Sequence, residues 1–219
     1  MILCAHLIHQ APEDPTPRLL SLVISFNADG RMTGNYVKVR LLPLIEYLPG
    51  EKRFPWLRSI MPNAGHLAPG PGPVIFEPHG SVKIMPLVCY ESVFPEYCRR
   101  IDEVSGNLWL EFSDDSWFYD THGLQTHLAM ATFRSAEMGI PLVRVANSGI
   151  SACIQSGGVL EKASLTSGME RTTRVVNVLP SRGTGAPANG KFVLALALIL
   201  LTTSGYRFVS TRRGHSSRG

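Results

Sequence analysis

The stretch Leu87-Val88-Cys89-Tyr90-Glu91 ends an apolar run on a cysteine and passes at once into polar residues. A cysteine at a strand end, entering a turn, can present its sulfur to a pocket, and a thiolate is the strongest common side-chain nucleophile. An unpaired cysteine is more often a buried structural residue, and Cys89 taken alone favours that reading. Cys4, Cys89, Cys98 and Cys153 are even in number and so permit disulfides, but their irregular spacing gives such pairing little support. No Cys-x-x-Cys or paired-histidine spacing points to a metal, and no cofactor is expected. His122 and His127, five apart, fall on different helix faces and read as surface or pocket-rim groups.

Three further places carry polar chemistry. In Tyr36-Val37-Lys38-Val39-Arg40-Leu41, alternation sets Lys38 opposite Val37 and Val39, which ordinarily means a solvated lysine on a sheet face. Glu46 is the odder residue, a carboxylate inside the apolar Pro43-Leu44-Ile45-Glu46-Tyr47-Leu48-Pro49, where it needs a partner or a task. Ser113-Asp114-Asp115-Ser116-Trp117-Phe118 reads equally as a capped turn with Trp117 packed down and as a pocket wall.

The elements that must position these residues are short and mostly extended. Leu19–Phe26 is an apolar run of strand length, closed by the turn signal Asn27-Ala28-Asp29-Gly30, and 35–42 reads as its hairpin partner. Three prolines in 11–18 forbid a helix or a central strand there. Residues 49–73, with six prolines, read as a long loop of the kind that forms lids or binding loops. Strands are expected at 74–77, 81–88, 107–112, 141–145, 151–154 and 173–178, and a helix at 96–103. The clearest helix is 124–138, with Leu124, Leu128, Ala131 and Ala136 at helical spacing and Gly139 as its stop. Many strands, few helices and several hairpins predict a layered α/β or α+β sandwich.

With 219 residues the chain can bury a sizeable core as one domain. Hydrophobic residues make 44%, and 21 basic against 17 acidic residues leave a net charge of only +4, which excludes global disorder. Much of that excess sits in the last dozen residues, so no nucleic-acid partner is expected. From Phe192 to Tyr206 the chain runs fifteen residues without a charge, after a Gly/Pro/Asn-rich linker at 181–191 and before an Arg-bearing tail. Fifteen helical residues span about 22 Å, and snorkelling by Lys191 and Arg207 with extension to Val209 closes most of the gap to a roughly 30 Å hydrocarbon core. A transmembrane helix over 192–209 is therefore expected, with a cytoplasmic tail at 210–219 and the domain on the opposite side. No basic n-region precedes an apolar core at Met1–Gln10, so no export signal is expected.

Taken in order, YVKVRLLPLIEYLP, LVCYESVFPEYCRR, FSDDSWF and THLAMATFRSAEMGIPLVRVANSGISA resemble the nitrilase (carbon–nitrogen hydrolase) superfamily, and within it the apolipoprotein N-acyltransferase family. The resemblance implies a four-layer α-β-β-α sandwich over 19–180. It implies that Cys89 takes an acyl group from a phospholipid as a thioester and that Lys38 steadies the oxyanion. Glu46 matches a glutamate supporting that lysine, and Tyr90 and Glu91 match residues beside the nucleophile. Asp115, Trp117, Arg144 and Asn147 lie in matched stretches as candidate pocket residues. The acyl group would then pass to the amino terminus of a diacylglyceryl-lipoprotein at the bacterial inner membrane, with the domain on the periplasmic side.

Two departures shape the expectation. The family's general-base glutamate stands in a Pro-Glu motif well upstream of the lysine. Pro12-Glu13 mimics it, but only five residues separate Glu13 from Leu19, too few for the intervening helix, and the role is not carried over. Asp114-Asp115 replaces Asn-Asp, and the added carboxylate is expected to perturb a pocket that holds a thiolate. The sandwich is accordingly expected to be incomplete on its N-terminal side, residues 1–18 being atypical, with an open sheet edge and at most vestigial catalysis. Without a base, only a few per cent of a thiol ionises near neutral pH. A soluble nitrilase-type amidase and a catalytically inactive fragment are the alternatives.

Overall fold

The computed structural model describes residues 1–11, 14–102, 106–118 and 122–166. Pro12-Glu13, the expected strand at 173–178, the linker, the apolar segment at 192–209 and the basic tail lie outside them. Among the described residues no helix is long and apolar enough to cross a membrane.

Two sheets form the frame. β1 (Ile2–Ala11), β2 (Asp14–Phe26) and β3 (Met32–Val37) make an antiparallel sheet in the order β1-β2-β3. The β2–β3 turn is the expected one: the Arg31 amide donates to the Asn27 side chain at 2.9 Å, and Gly30 takes φ +75°. The proline-rich stretch does not stop the sheet, because β2 begins at Asp14 and pairs with β1 from there. Two features explain how a strand tolerates these prolines. The β1–β2 register slips between the His9–Arg18 and Ala11–Asp14 pairs, where Pro15 and Pro17 stand, and β3 pairs only with Leu22–Phe26. Proline is excluded from a strand bonded on both sides but fits a bulged end.

The second sheet has six strands in sequence order: β4 (Phe76–His79), β5 (Val82–Val88), β6 (Leu108–Ser113), β7 (Leu142–Ala146), β8 (Gly149–Gln155) and β9 (Val159–Thr166). β5, β6 and β7 run parallel, and the flanking pairs are antiparallel. A short α1 (Leu57–Ile60) lies in the long β3–β4 loop. The parallel strands need crossovers, supplied by α2 (Pro95–Asp102) and α3 (Gly123–Met138). Successive right-handed crossovers in one direction place both helices on one face of the sheet. There Met85, Leu87, Tyr97, Ile101, Trp109, Ile140, Leu142 and Ile154 form the main core. The opposite face meets the first sheet through Val23, Tyr36, Phe76, Ile84 and Val88.

The described residues thus form three layers, β-β-α. The second helical layer of the expected four-layer sandwich, outside β1–β3, is not among them.

α3 ends as expected, with Gly139 at φ +65°, but it buries a different line from the one predicted. Ala136 is exposed and Leu124 and Leu128 half-buried, whereas His127, Ala131, Ser135 and Met138 face inward. Hydrophobic periodicity missed this line because two of its members are polar and bonded. The Ser135 hydroxyl donates to the carbonyls of Ile140 at 2.7 Å and Gln155 at 3.0 Å, joining α3 to β8.

Candidate active site

β5 delivers Cys89 to a sharp turn. The cysteine has φ +52°, a left-handed conformation uncommon outside glycine, and opens a 3-10 turn over Cys89–Val93. Such strain persists only where the surroundings fix it, and Glu91 is what fixes it. Its fully buried carboxylate accepts from the Val88 amide at 2.8 Å, as an N3 glutamate does at a helix start. It also accepts from the amides of Val39 at 2.8 Å and Arg40 at 2.9 Å, and from the Tyr36 hydroxyl at 2.7 Å. Glu91 therefore ties the cysteine turn to the chain leaving β3. Burial pushes its carboxyl up from the ordinary range, and these four donors oppose the shift. Tyr36 also shares a 2.7 Å hydrogen bond with Tyr97 of α2, so this clamp crosses all three layers. Tyr90 is half-buried and packs edge-on to Phe94.

Lys38, one residue past β3, is 1% exposed rather than solvated. Its Nζ donates to Glu46 Oε1 at 2.6 Å, and the Leu42 amide donates to Glu46 Oε2 at 2.7 Å. Glu46 thus has its partner, on a turn where Leu44 takes φ +69°. Alternation misplaced Lys38 because the following loop folds back over it: the Gly70 amide bonds the Lys38 carbonyl at 2.8 Å. A Cβ on Gly70 would meet the Val37 carbonyl at 2.3 Å, so this close approach requires glycine. Lys38 lies within electrostatic reach of Cys89 and lowers a thiol pKa that burial, the larger effect, pushes up.

The far wall comes from β6, β7 and α3. β6 turns Trp109, Glu111 and Ser113 toward the helices, and β7 turns Leu142, Arg144 and Ala146 the same way. Arg144 donates through Nη1 to Glu111 Oε1 at 2.5 Å and through Nη2 to Asp115 Oδ2 at 2.6 Å. Asp115 Oδ1 accepts from the Ser113 hydroxyl at 2.6 Å and lies 2.9 Å from His127 Nδ1. The Ser92 hydroxyl bonds Glu111 at 2.9 Å. Burial raises the Asp115 pKa and is its largest single influence. The His127 bond and the Arg144 charge, with Ser113, together outweigh it and hold the carboxyl at about 2.

The two aspartates therefore part company. Asp114 is exposed and caps the Ser116 amide at 3.1 Å, while Asp115 is neutralised within the cluster. The added carboxylate faces solvent instead of disturbing the pocket. Trp117 is 65% exposed, neither packed down nor buried in a wall, and Asn147 is exposed with its amide on the Ser113 carbonyl at 2.9 Å. His127, expected at a surface or rim, is buried. Glu111 went unnoticed in sequence, although its place two residues from Trp109 on an alternating strand put it on the core-facing side. The four cysteines are free thiols.

The Cys89 sulfur, a His127 ring nitrogen and an Asp115 carboxylate oxygen all lie within 4.8 Å of one another. The Arg144 guanidinium already bonds Asp115 and stands 3.0 Å from His127 Nδ1, so a cation there would have to displace it. The arrangement suits a thiol nucleophile between a buried ammonium and a buried His–Asp pair, at the carboxyl ends of parallel strands where ligand crevices form.

The sequence profile of carbon–nitrogen hydrolases matches residues 1–175. The chain belongs to the carbon–nitrogen hydrolase family. It is 38% identical over 154 residues to the apolipoprotein N-acyltransferase of Rhizobium meliloti, a match covering 66% of this chain and 28% of that protein. Identity to the apolipoprotein N-acyltransferase of Bdellovibrio bacteriovorus is 37% over 134 residues, covering 59% and 24%. For the Sinorhizobium medicae apolipoprotein N-acyltransferase the figures are 35% over 193 residues, 82% and 34%. The matches thus span between 24% and 34% of these relatives' length. Among solved structures, a carbon–nitrogen hydrolase from Helicobacter pylori G27 superposes with TM-score 0.55 at 16% identity, covering 76% of this chain and 59% of that one. A mutant of the amidase from Nesterenkonia sp. AN1, with acrylamide added to its active-site cysteine, gives 0.53 at 20% identity, covering 76% and 60%. These structures show the carbon–nitrogen hydrolase fold.

Proposed function

We propose that this chain performs acyl transfer of the apolipoprotein N-acyltransferase type. Cys89 attacks the ester carbonyl of a phospholipid acyl chain, Lys38 stabilises the oxyanion, and collapse releases the lysophospholipid and leaves an acyl-thioester. The α-amine of a diacylglyceryl-cysteine on a lipoprotein then attacks the thioester, forming an amide and freeing the thiol. The observation that carries the reading is Cys89 on a left-handed turn beside Lys38, a buried ammonium fixed by Glu46. A fixed cation in a dry pocket stabilises charge as it develops, without reorganisation. The identity to N-acyltransferases favours a phospholipid donor over a soluble amide. In this reading the apolar segment 192–209 holds the chain at the inner membrane with the domain on the periplasmic side.

Intact-protein mass spectrometry of the full chain with phosphatidylethanolamine vesicles tests it. A hydroxylamine-labile acyl adduct is expected, absent in Cys89→Ser. Lys38→Met should slow its formation about 10²–10³-fold, the usual cost of one oxyanion donor. No adduct on a folded chain, with release of acid from a simple amide, would replace the reading with an amidase.

A further inference from the structure

Thiol chemistry at Cys89 needs a proton acceptor, because burial raises the cysteine's pKa and holds it protonated. Among the described residues, the carboxylates around it are already engaged. Glu46 is bonded to Lys38, Glu91 clamps the turn, Glu111 is paired with Arg144 and Ser92, and Asp115 stays ionised down to about pH 2. A carboxylate that reluctant to take a proton is a poor base.

His127 differs. Asp115 Oδ1 at 2.9 Å and Arg144 Nη2 at 3.0 Å compete for Nδ1. In the tautomer that donates to Asp115 the Nε2 lone pair is free, and Nε2 has no hydrogen-bond partner among the described residues although the side chain is only 3% exposed. Glu111 Oε1 lies 3.8 Å from that nitrogen, and Glu111 Oε2 is likewise unpartnered.

We propose that His127, oriented by Asp115, takes the thiol proton of Cys89. The proposal rests on the acyl-transfer reading and supplies its base. The sulfur–hydrogen bond breaks and the proton moves to the imidazole, directly or through one water. The thiolate forms the carbon–sulfur bond, and the carbonyl π pair moves to oxygen beside Lys38. When that pair returns, the ester carbon–oxygen bond breaks and the imidazolium returns its proton to the departing alkoxide. In the second half-reaction the same imidazole takes the proton of the attacking amine as the carbon–nitrogen bond forms, and returns it to the departing thiolate as the carbon–sulfur bond breaks.

The test is the pH profile of Cys89 alkylation by iodoacetamide, followed by intact mass in a Cys4→Ser background. Besides His127, the groups that act on the sulfur among the described residues are Lys38 just past β3, Cys4 of β1, and Ser113, Asp115 and Glu111 of the far wall. His127→Gln keeps these residues and removes the imidazole contacts to Asp115 and Arg144. Wild-type Cys89 should react well below the ordinary thiol range of about 8.5. His127→Gln should move the profile to higher pH and slow the reaction at pH 7 about 10²-fold. Equal rates in a folded His127→Gln chain would overturn the proposal. Where that variant fails to fold, the wild-type profile decides alone, and a midpoint at or above the ordinary thiol range overturns it. His127-dependent alkylation without any acyl-thioester would keep the base and refute acyl transfer instead.

Discussion

At the residue scale the site is a set of charges whose partners are chosen before any substrate arrives. Lys38 and Arg144 are both 1% exposed, a position that cations occupy only when paired. Glu46 serves the first, while Glu111 and Asp115 serve the second. Asp115 makes this visible as acid sensitivity. Its folded-state pKa of about 2 lies below its unfolded value of 3.8, so its stabilisation is present above about pH 4 and lost as pH falls toward 2. Asp115→Asn should flatten the acid limb of a pH–stability curve from denaturant titration between pH 5 and 2. It should also lower stability at pH 7, because Arg144 then loses a carboxylate. An unchanged acid limb would show that the aspartate is not held by this network.

At the element scale, the feature that matters is the join between a strand end and a turn in another sheet. The left-handed Cys89 costs about 1–2 kcal/mol of backbone strain, and Glu91 offsets it by gathering donors from Val88, Val39, Arg40 and Tyr36. Glu91→Gln puts an NH₂ group against at least one of these donors. Urea unfolding should show a loss of about 2–4 kcal/mol, and Cys89 and Lys38 should lose their relative placement. A fully stable Glu91→Gln chain with normal Cys89 reactivity would mean that the turn is held by something else. β5 and its turn were legible in sequence as an apolar run ending at a polar cysteine. The clamp was not, because Glu91 and its donors on Tyr36, Val39 and Arg40 lie more than fifty positions apart.

At the scale of the whole molecule, the two sheets and one helical layer enclose two cores, and the site lies where the first sheet, the second sheet and α3 converge. Lys38 comes from one sheet, Cys89 from the other, and His127 from the helix packed behind it. None of the three layers carries the site alone. If the apolar segment 192–209 spans a bilayer, the full chain should stay with membranes after a sodium carbonate wash. Release into the supernatant would remove the membrane-bound acyltransferase reading while leaving the fold and the cysteine pocket untouched.

Local patterns determined a good deal. Period-two alternation, turn signals such as Asn27-Ala28-Asp29-Gly30 and the Gly139 stop located most strands and the principal helix within a few residues. The ordered run of motifs around Lys38, Glu46 and Cys89 carried the family. Tertiary structure decided what those patterns cannot encode. It buried Lys38 under a loop that returns from thirty residues away, and it turned the polar line of α3 inward. It sent Asp114 to solvent and Asp115 to Arg144, and it let a proline-bearing strand end pair along one edge. In each case a polar group's fate depended on which distant partner satisfied it. Hydrophobic pattern is a local property of the chain, whereas the pairing of a buried charge is a property of the folded space around it.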